Sequence, residues 1–62
     1  MRFTSQRDDD IVKLFEGNTY VGYLDENGDL YGFRNNRAFL VERNVALRNA
    51  PYLLTIAKGK TS

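Results

Sequence analysis

The stretch that decides the fold is "YLDENGDLYGF", residues 23–33, in which a polar segment separates two apolar runs. Asp25, Asn27 and Asp29 alternate as oxygen ligands do at the first, third and fifth places of a calcium loop. That loop needs glycine at its sixth place and a bidentate glutamate at its twelfth, where this chain has Leu30 and Asn36. The sequence therefore predicts a turn here and no metal site.

Two registers are open to this turn. A two-residue loop at Asn27-Gly28 places Leu24 opposite Tyr31, whereas a type I turn over residues 25–28, with glycine in a left-handed bulge, places Tyr23 there. We predict the bulged turn because it collects one continuous apolar face. With a two-residue turn at Gly17-Asn18, that face holds Val12, Leu14, Val21, Tyr23, Tyr31 and Phe33, and the other holds Ile11, Lys13, Phe15, Tyr20, Gly22, Leu24, Leu30, Gly32 and Arg34.

Short runs rich in β-branched and aromatic residues extend on both sides of this turn. They are separated by Gly17-Asn18 and Asn35-Asn36, a spacing typical of an antiparallel meander over residues 10–42. Residues 1–9 form a polar arm that leads into three consecutive aspartates at positions 8–10, and we expect it to be flexible or a short edge strand.

The signals after Glu42 are helical. Asn49 as a cap, Pro51 in the first turn, Lys58 in the last turn and Gly59 beyond it predict a helix over about residues 45–58, kinked at the proline or split in two. The predicted fold is α+β: one domain over residues 10–62, with a three- to four-stranded meander followed by a C-terminal helix. The alternative makes residues 52–58 a strand and the fold a small all-β SH3-like barrel.

The C-terminal segment resembles one found in small proteins encoded by phages and prophages, in which an Asn-Ala-Arg-Leu-Ile run precedes several alanines, a proline, an acidic residue and Leu-Leu. This chain has one residue fewer before Pro51, and Tyr52 replaces the acidic residue. The resemblance implies a helix and a phage or prophage origin, and no catalytic residue. It covers Asn44, Leu47, Ala50, Pro51, Leu53, Leu54 and Ala57.

The 62-residue composition narrows the possible functions. A domain of this size buries only about 60% of the surface of its unfolded chain, so a deep catalytic pocket is not expected. Without histidine or cysteine it has no zinc site of the usual kind and no Cys-His or Ser-His-Asp machinery. We therefore expect no enzyme, no catalytic residue, no cofactor, no metal and no small-molecule substrate. The lack of cysteine and of a long apolar run leads us to expect a cytoplasmic protein away from the membrane, and the resemblance to phage and prophage proteins implies a bacterial host cell.

The charge is divided between the two halves of the chain. Residues 1–29 carry three basic and seven acidic side chains, and residues 30–62 carry six basic and one acidic. Together with abundant aromatic residues this favours a protein-interaction module, acting on a protein of the host or phage or as a homo-oligomer. The predicted partner-binding residues are Phe15, Tyr20, Arg34, Arg37, Phe39 and Tyr52. The alternative is a nucleic-acid-binding domain that uses the sheet face with Lys13, Arg34, Arg37, Arg43 and Arg48.

Overall fold

The computed structural model describes residues 2–60, with the side chains of residues 2–57. Five antiparallel strands lie in one open sheet in chain order, and a 3₁₀ turn and one α-helix follow. The fold is therefore α+β, as predicted, and the barrel alternative is wrong because the sheet does not close and residues 50–60 are helical. The elements are β1 Phe3–Asp8, β2 Ile11–Glu16, β3 Thr19–Leu24, β4 Leu30–Arg34, β5 Arg37–Glu42, the 3₁₀ turn Leu47–Asn49 and α1 Ala50–Lys60.

The sheet has five strands rather than three to four because most of the N-terminal arm is itself a strand. β1 pairs along its whole length with β2, from Phe3 opposite Glu16 to Asp8 opposite Ile11. All of β1 except Phe3 is exposed, so backbone hydrogen bonding and not burial holds most of this edge strand. β1 and β5 are the two edges of the sheet.

The bulged turn between β3 and β4 is confirmed. The Gly28 amide donates to the Asp25 carbonyl at 3.0 Å, and Gly28 has a φ of 84°. The Asp25 carboxylate accepts hydrogen bonds from the amides of Asn27 and Asp29, both at 2.9 Å. Tyr23 lies opposite Tyr31, which is the predicted register.

The predicted division of residues between the two sheet faces is wrong, because each predicted set contains residues from both observed faces. The turn at Gly17-Asn18 has two residues, as expected, but the register then shifts: Phe15 pairs with Tyr20 and Leu14 with Gly22. Val21 has no direct partner in β2, so a bulge here moves Leu14 to the face of Gly22 and leaves Tyr23 on the other face. A second shift leaves Val41 unpaired between β4 and β5.

The helix begins later than predicted and ends later. The 3₁₀ turn Leu47–Asn49 closes with a hydrogen bond from the Asn49 amide to the Ala46 carbonyl, and α1 follows directly and includes Gly59. Within the described residues, no helix has the length and apolarity needed to cross a bilayer.

α1 packs against the face on which the aliphatic residues collect. Ala50 and Leu54 of the helix are buried there, while Val45, just before the 3₁₀ turn, is held by a 2.8 Å hydrogen bond from its amide to the Gly28 carbonyl. The buried core is small and entirely apolar, and it consists of Leu14, Leu24, Leu30, Val45, Ala50 and Leu54.

Two facing glycines, Gly22 and Gly32, allow this close packing. A Cβ at Gly22 would overlap the Tyr31 carbonyl oxygen and lie 3.2 Å from Leu54. A Cβ at Gly32 would lie 2.6 Å from the Phe39 ring. The bare backbone of the two strands is therefore what the helix and one aromatic ring rest on.

Candidate functional site

The sheet surface opposite α1 carries five aromatic rings, and we call it the aromatic face. It is defined by Phe15, Tyr20, Tyr23, Tyr31 and Phe33. Directly paired residues share a face of the sheet, and α1 packs on the opposite face, where the aliphatic residues lie. None of the described elements therefore covers the five rings.

The first row of the aromatic face crosses all five strands. Gln6 lies opposite Lys13, Lys13 opposite Tyr23, Tyr23 opposite Tyr31, and Tyr31 opposite Leu40. The rings of Tyr23 and Tyr31 are stacked, with centroids 5.0 Å apart and planes 12° from parallel. Leu40, at the β5 end of the row, is 44% exposed, so the apolar surface continues to the sheet edge.

The second row lies nearer to the β2–β3 and β4–β5 turns. Tyr20 is central: its ring centroid is 5.6 Å from that of Phe15 and 5.0 Å from that of Phe33. The bulge at Val21 places Tyr20 on this face, since Tyr20 pairs with Phe15 rather than following the alternation from Gly22. The three rings form one connected cluster.

Lateral packing leaves these rings half-buried, although none of the described elements lies above them. Burial raises the pKa of the Tyr20 phenol above its usual 10.0; Lys13 opposes the rise and Tyr23 adds to it. Tyr20 is therefore neutral at physiological pH, and the face presents aromatic rings and hydroxyl groups. Such amphipathic rings are frequent at protein interfaces.

The aromatic face has little net charge. The Lys13 ammonium lies 3.1 Å from the Asp8 carboxylate, and both side chains are partly exposed. Asp8 therefore neutralises the charge of Lys13, the one basic side chain in the first row. A surface of this kind suits an uncharged partner surface better than a phosphate backbone.

The six residues predicted to bind a partner fall at three places. Phe15 and Tyr20 are together on the aromatic face. Arg34 and Arg37 lie opposite each other beside the β4–β5 turn, and the Phe39 ring lies over Gly32 on the helix side. Tyr52 lies on α1, 69% exposed.

The residues of the nucleic-acid alternative are also scattered. Lys13 is on the aromatic face, whereas Arg34 and Arg37 flank the β4–β5 turn. Arg43 follows the opposite end of β5, a strand about 20 Å long. Arg48 lies in the 3₁₀ turn. Only Arg34 and Arg37 form a local basic pair.

Sequence reasoning assigned three residues of the aromatic face to the core: Tyr23, Tyr31 and Phe33. They were missed because the bulge at Val21 has no local sequence signature. The bulge at Val21 contains no glycine in a left-handed conformation. Such a glycine, Gly28, is what makes the bulge in the β3–β4 turn recognisable from the sequence.

No cluster of three or more carboxylates suited to a metal ion occurs among the described residues. The Asp25 carboxylate, which the calcium pattern would have used, accepts backbone hydrogen bonds of its own turn. Comparisons of the chain with protein-family models, with curated proteins and with solved structures find no match. The resemblance to phage and prophage proteins stays a prediction.

Proposed function

We propose that this chain is a non-enzymatic protein-interaction module that binds a protein partner, or a second copy of itself, through the aromatic face. The observation that carries this proposal is the placement of all five rings on the sheet surface that α1 leaves open. Tyrosine is among the residues that dominate binding hot spots because it buries much area and loses little side-chain entropy.

The geometry of the rings supports a protein partner over nucleic acid. Bases bind by stacking on open ring faces. Tyr23 and Tyr31 instead cover one face of each other, and Lys13 and Leu40 flank the pair in the same row. The ion pair of Lys13 with Asp8 further weakens attraction for phosphate. A phage or prophage protein that modulates a host protein fits this proposal.

The test compares two tyrosine changes. The double variant Tyr23→Thr with Tyr31→Thr removes the stacked pair but keeps residues that favour strands. Tyr52→Ala removes a ring that is 69% exposed on the helix, on the other side of the molecule, and is the matched control. Circular dichroism establishes that both variants fold.

Sedimentation velocity and affinity capture from a bacterial lysate are then run at micromolar concentration. We expect the wild type and Tyr52→Ala to self-associate or to retain the same specific protein, and the double variant to do neither. A wild-type chain that is a strict monomer and retains nothing contradicts the proposal. Equal binding by the double variant contradicts the assignment to the aromatic face. A complex with random duplex DNA that strengthens as salt is lowered would favour the nucleic-acid alternative instead.

A further inference from the structure

A groove of about 290 Å³ lies between residues 54–57 of α1 and the end of the sheet that carries the β2–β3 and β4–β5 turns. We call it the apolar groove. Its floor is the Phe39 ring, which lies over Gly32. Its apolar walls are Phe3, Val21, Phe39, Leu54 and Ala57.

The mouth of the apolar groove is polar and predominantly basic. Glu16 lies opposite Thr19 beside one hairpin turn, and Arg34 lies opposite Arg37 beside the other. Glu16, Thr19 and Arg34 line the groove itself, while Arg37 shares an adjoining depression with Arg34 and Phe39. Among the described side chains at the mouth, two guanidinium groups and one carboxylate give one net positive charge.

The positive charge at the mouth comes from two arginines that lie opposite each other. Arg37 is exposed and forms no ion pair among the described residues, so its guanidinium can reach an anion in the mouth. Charge complementarity therefore favours a ligand with a negative head.

The size of the apolar groove favours a small molecule. It is close to the lower limit of about 300 Å³ for ligand pockets. One turn of helix, about 10 Å across and 5.4 Å long, occupies about 420 Å³ and does not fit. A short aliphatic chain does.

We propose that the apolar groove binds a small amphipathic anion, an aliphatic body that ends in one carboxylate. The body lies between the Phe39 ring and Leu54, and the carboxylate lies at the mouth beside Arg37. This site is separate from the protein-binding role of the aromatic face, although Tyr20 and Phe33 border both surfaces.

Octanoate is the probe, with octan-1-ol and acetate as matched controls that lack the charge and the apolar body. Binding is followed by two-dimensional ¹H–¹⁵N NMR on the full chain. We expect octanoate to shift the amides of Gly32, Phe39 and Ala57 in a saturable manner. Octan-1-ol is expected to bind more weakly and acetate not to shift these amides.

Two variants test the two ends of the site. Arg37→Ala is expected to weaken octanoate binding about threefold to fivefold, the range of a partly screened ion pair. Arg48→Ala changes a residue outside the groove and is expected to leave octanoate binding unchanged. Ala57→Leu extends a side chain into the groove with only a small loss of helix propensity and is expected to weaken octanoate binding about tenfold or more. Ile56→Leu, which does not line the groove, is its control.

The proposal is overturned if octanoate shifts none of the three amides at millimolar concentration, or if Ala57→Leu binds as well as wild type. Octan-1-ol binding as tightly as octanoate, or no effect of Arg37→Ala, overturns the anionic head. These readouts do not depend on the tyrosine variants of the aromatic face.

Discussion

Gly22 gives the sharpest test of how the helix and sheet fit together. Gly22→Ala adds a single methyl group at a position where the backbone φ is not in the left-handed region. Taken alone, this change stabilises a protein by about 0.4–1 kcal/mol, because it restricts the unfolded chain. In the folded protein, however, the new Cβ overlaps the Tyr31 carbonyl oxygen and lies 3.2 Å from Leu54 and 3.3 Å from the Gly32 Cα.

Backbone atoms provide two of these three contacts, so rotation of a side chain cannot relieve the overlap. Overpacking of this kind costs about 1–3 kcal/mol or more, and we expect a net loss of about 2 kcal/mol. A domain of this length has a total stability of about 3–9 kcal/mol. The variant should therefore melt about 8–16 °C below the wild type.

The assay is urea unfolding and thermal melting followed by circular dichroism, since the chain has no tryptophan. Gly17→Ala is the comparison: Gly17 has a φ of 63°, and a Cβ added there would meet no atom within 4 Å, so this variant reports backbone strain of about 1 kcal/mol without a clash. Stability of Gly22→Ala equal to or above that of the wild type, or above that of Gly17→Ala, would refute the packing argument.

Three further predictions use the same unfolding measurements. Leu30→Ala should cost about 2–5 kcal/mol because Leu30 is 0% exposed, whereas Leu40→Ala at the 44% exposed sheet edge should change stability by less than about 0.5 kcal/mol; similar losses would contradict the assigned core. Asp25→Ala should cost about 1–2 kcal/mol because two backbone amides lose their acceptor. The exposed neighbour Glu26→Ala should be neutral, and an equal effect of both would mean that the carboxylate does not hold the turn. Burial raises the pKa of Tyr20 in the folded state, so its contribution to stability is complete below pH 10.0 and is lost as the pH rises through the raised pKa. Between pH 8 and about 11 the wild type should therefore lose more stability than Tyr20→Phe, and an equal loss would show that this phenol is not desolvated.

The turn at residues 25–28 could be predicted because every signal for it is local. Asp25 accepts hydrogen bonds from its own turn, and Gly28 takes a left-handed conformation that other residues adopt at a cost. These two positions fix the register of Tyr23 with Tyr31. The helix was predicted for the same reason, although its first turn is a 3₁₀ turn.

The division of the sheet into two faces could not be predicted in the same way. The bulge at Val21 involves a residue that is ordinary for a strand, and it forms because it lets Leu14 join Leu24 and Leu30 beneath Leu54. That gain in burial exists only once α1 lies on the sheet. The location of the candidate site followed from this packing, since the same bulge places Tyr20 beside Phe33.

The sequence by itself determined the kinds of elements, their order and the central turn, because these depend on hydrogen bonds and backbone preferences within a few residues. Tertiary structure alone decided which side of the sheet α1 covers, and hence that the aromatic rings form an open surface. It also created the apolar groove, whose walls come from β1, β3, β5 and α1. Both surfaces bring together residues distant in the chain, and the free energy of burying the aliphatic core selects that arrangement.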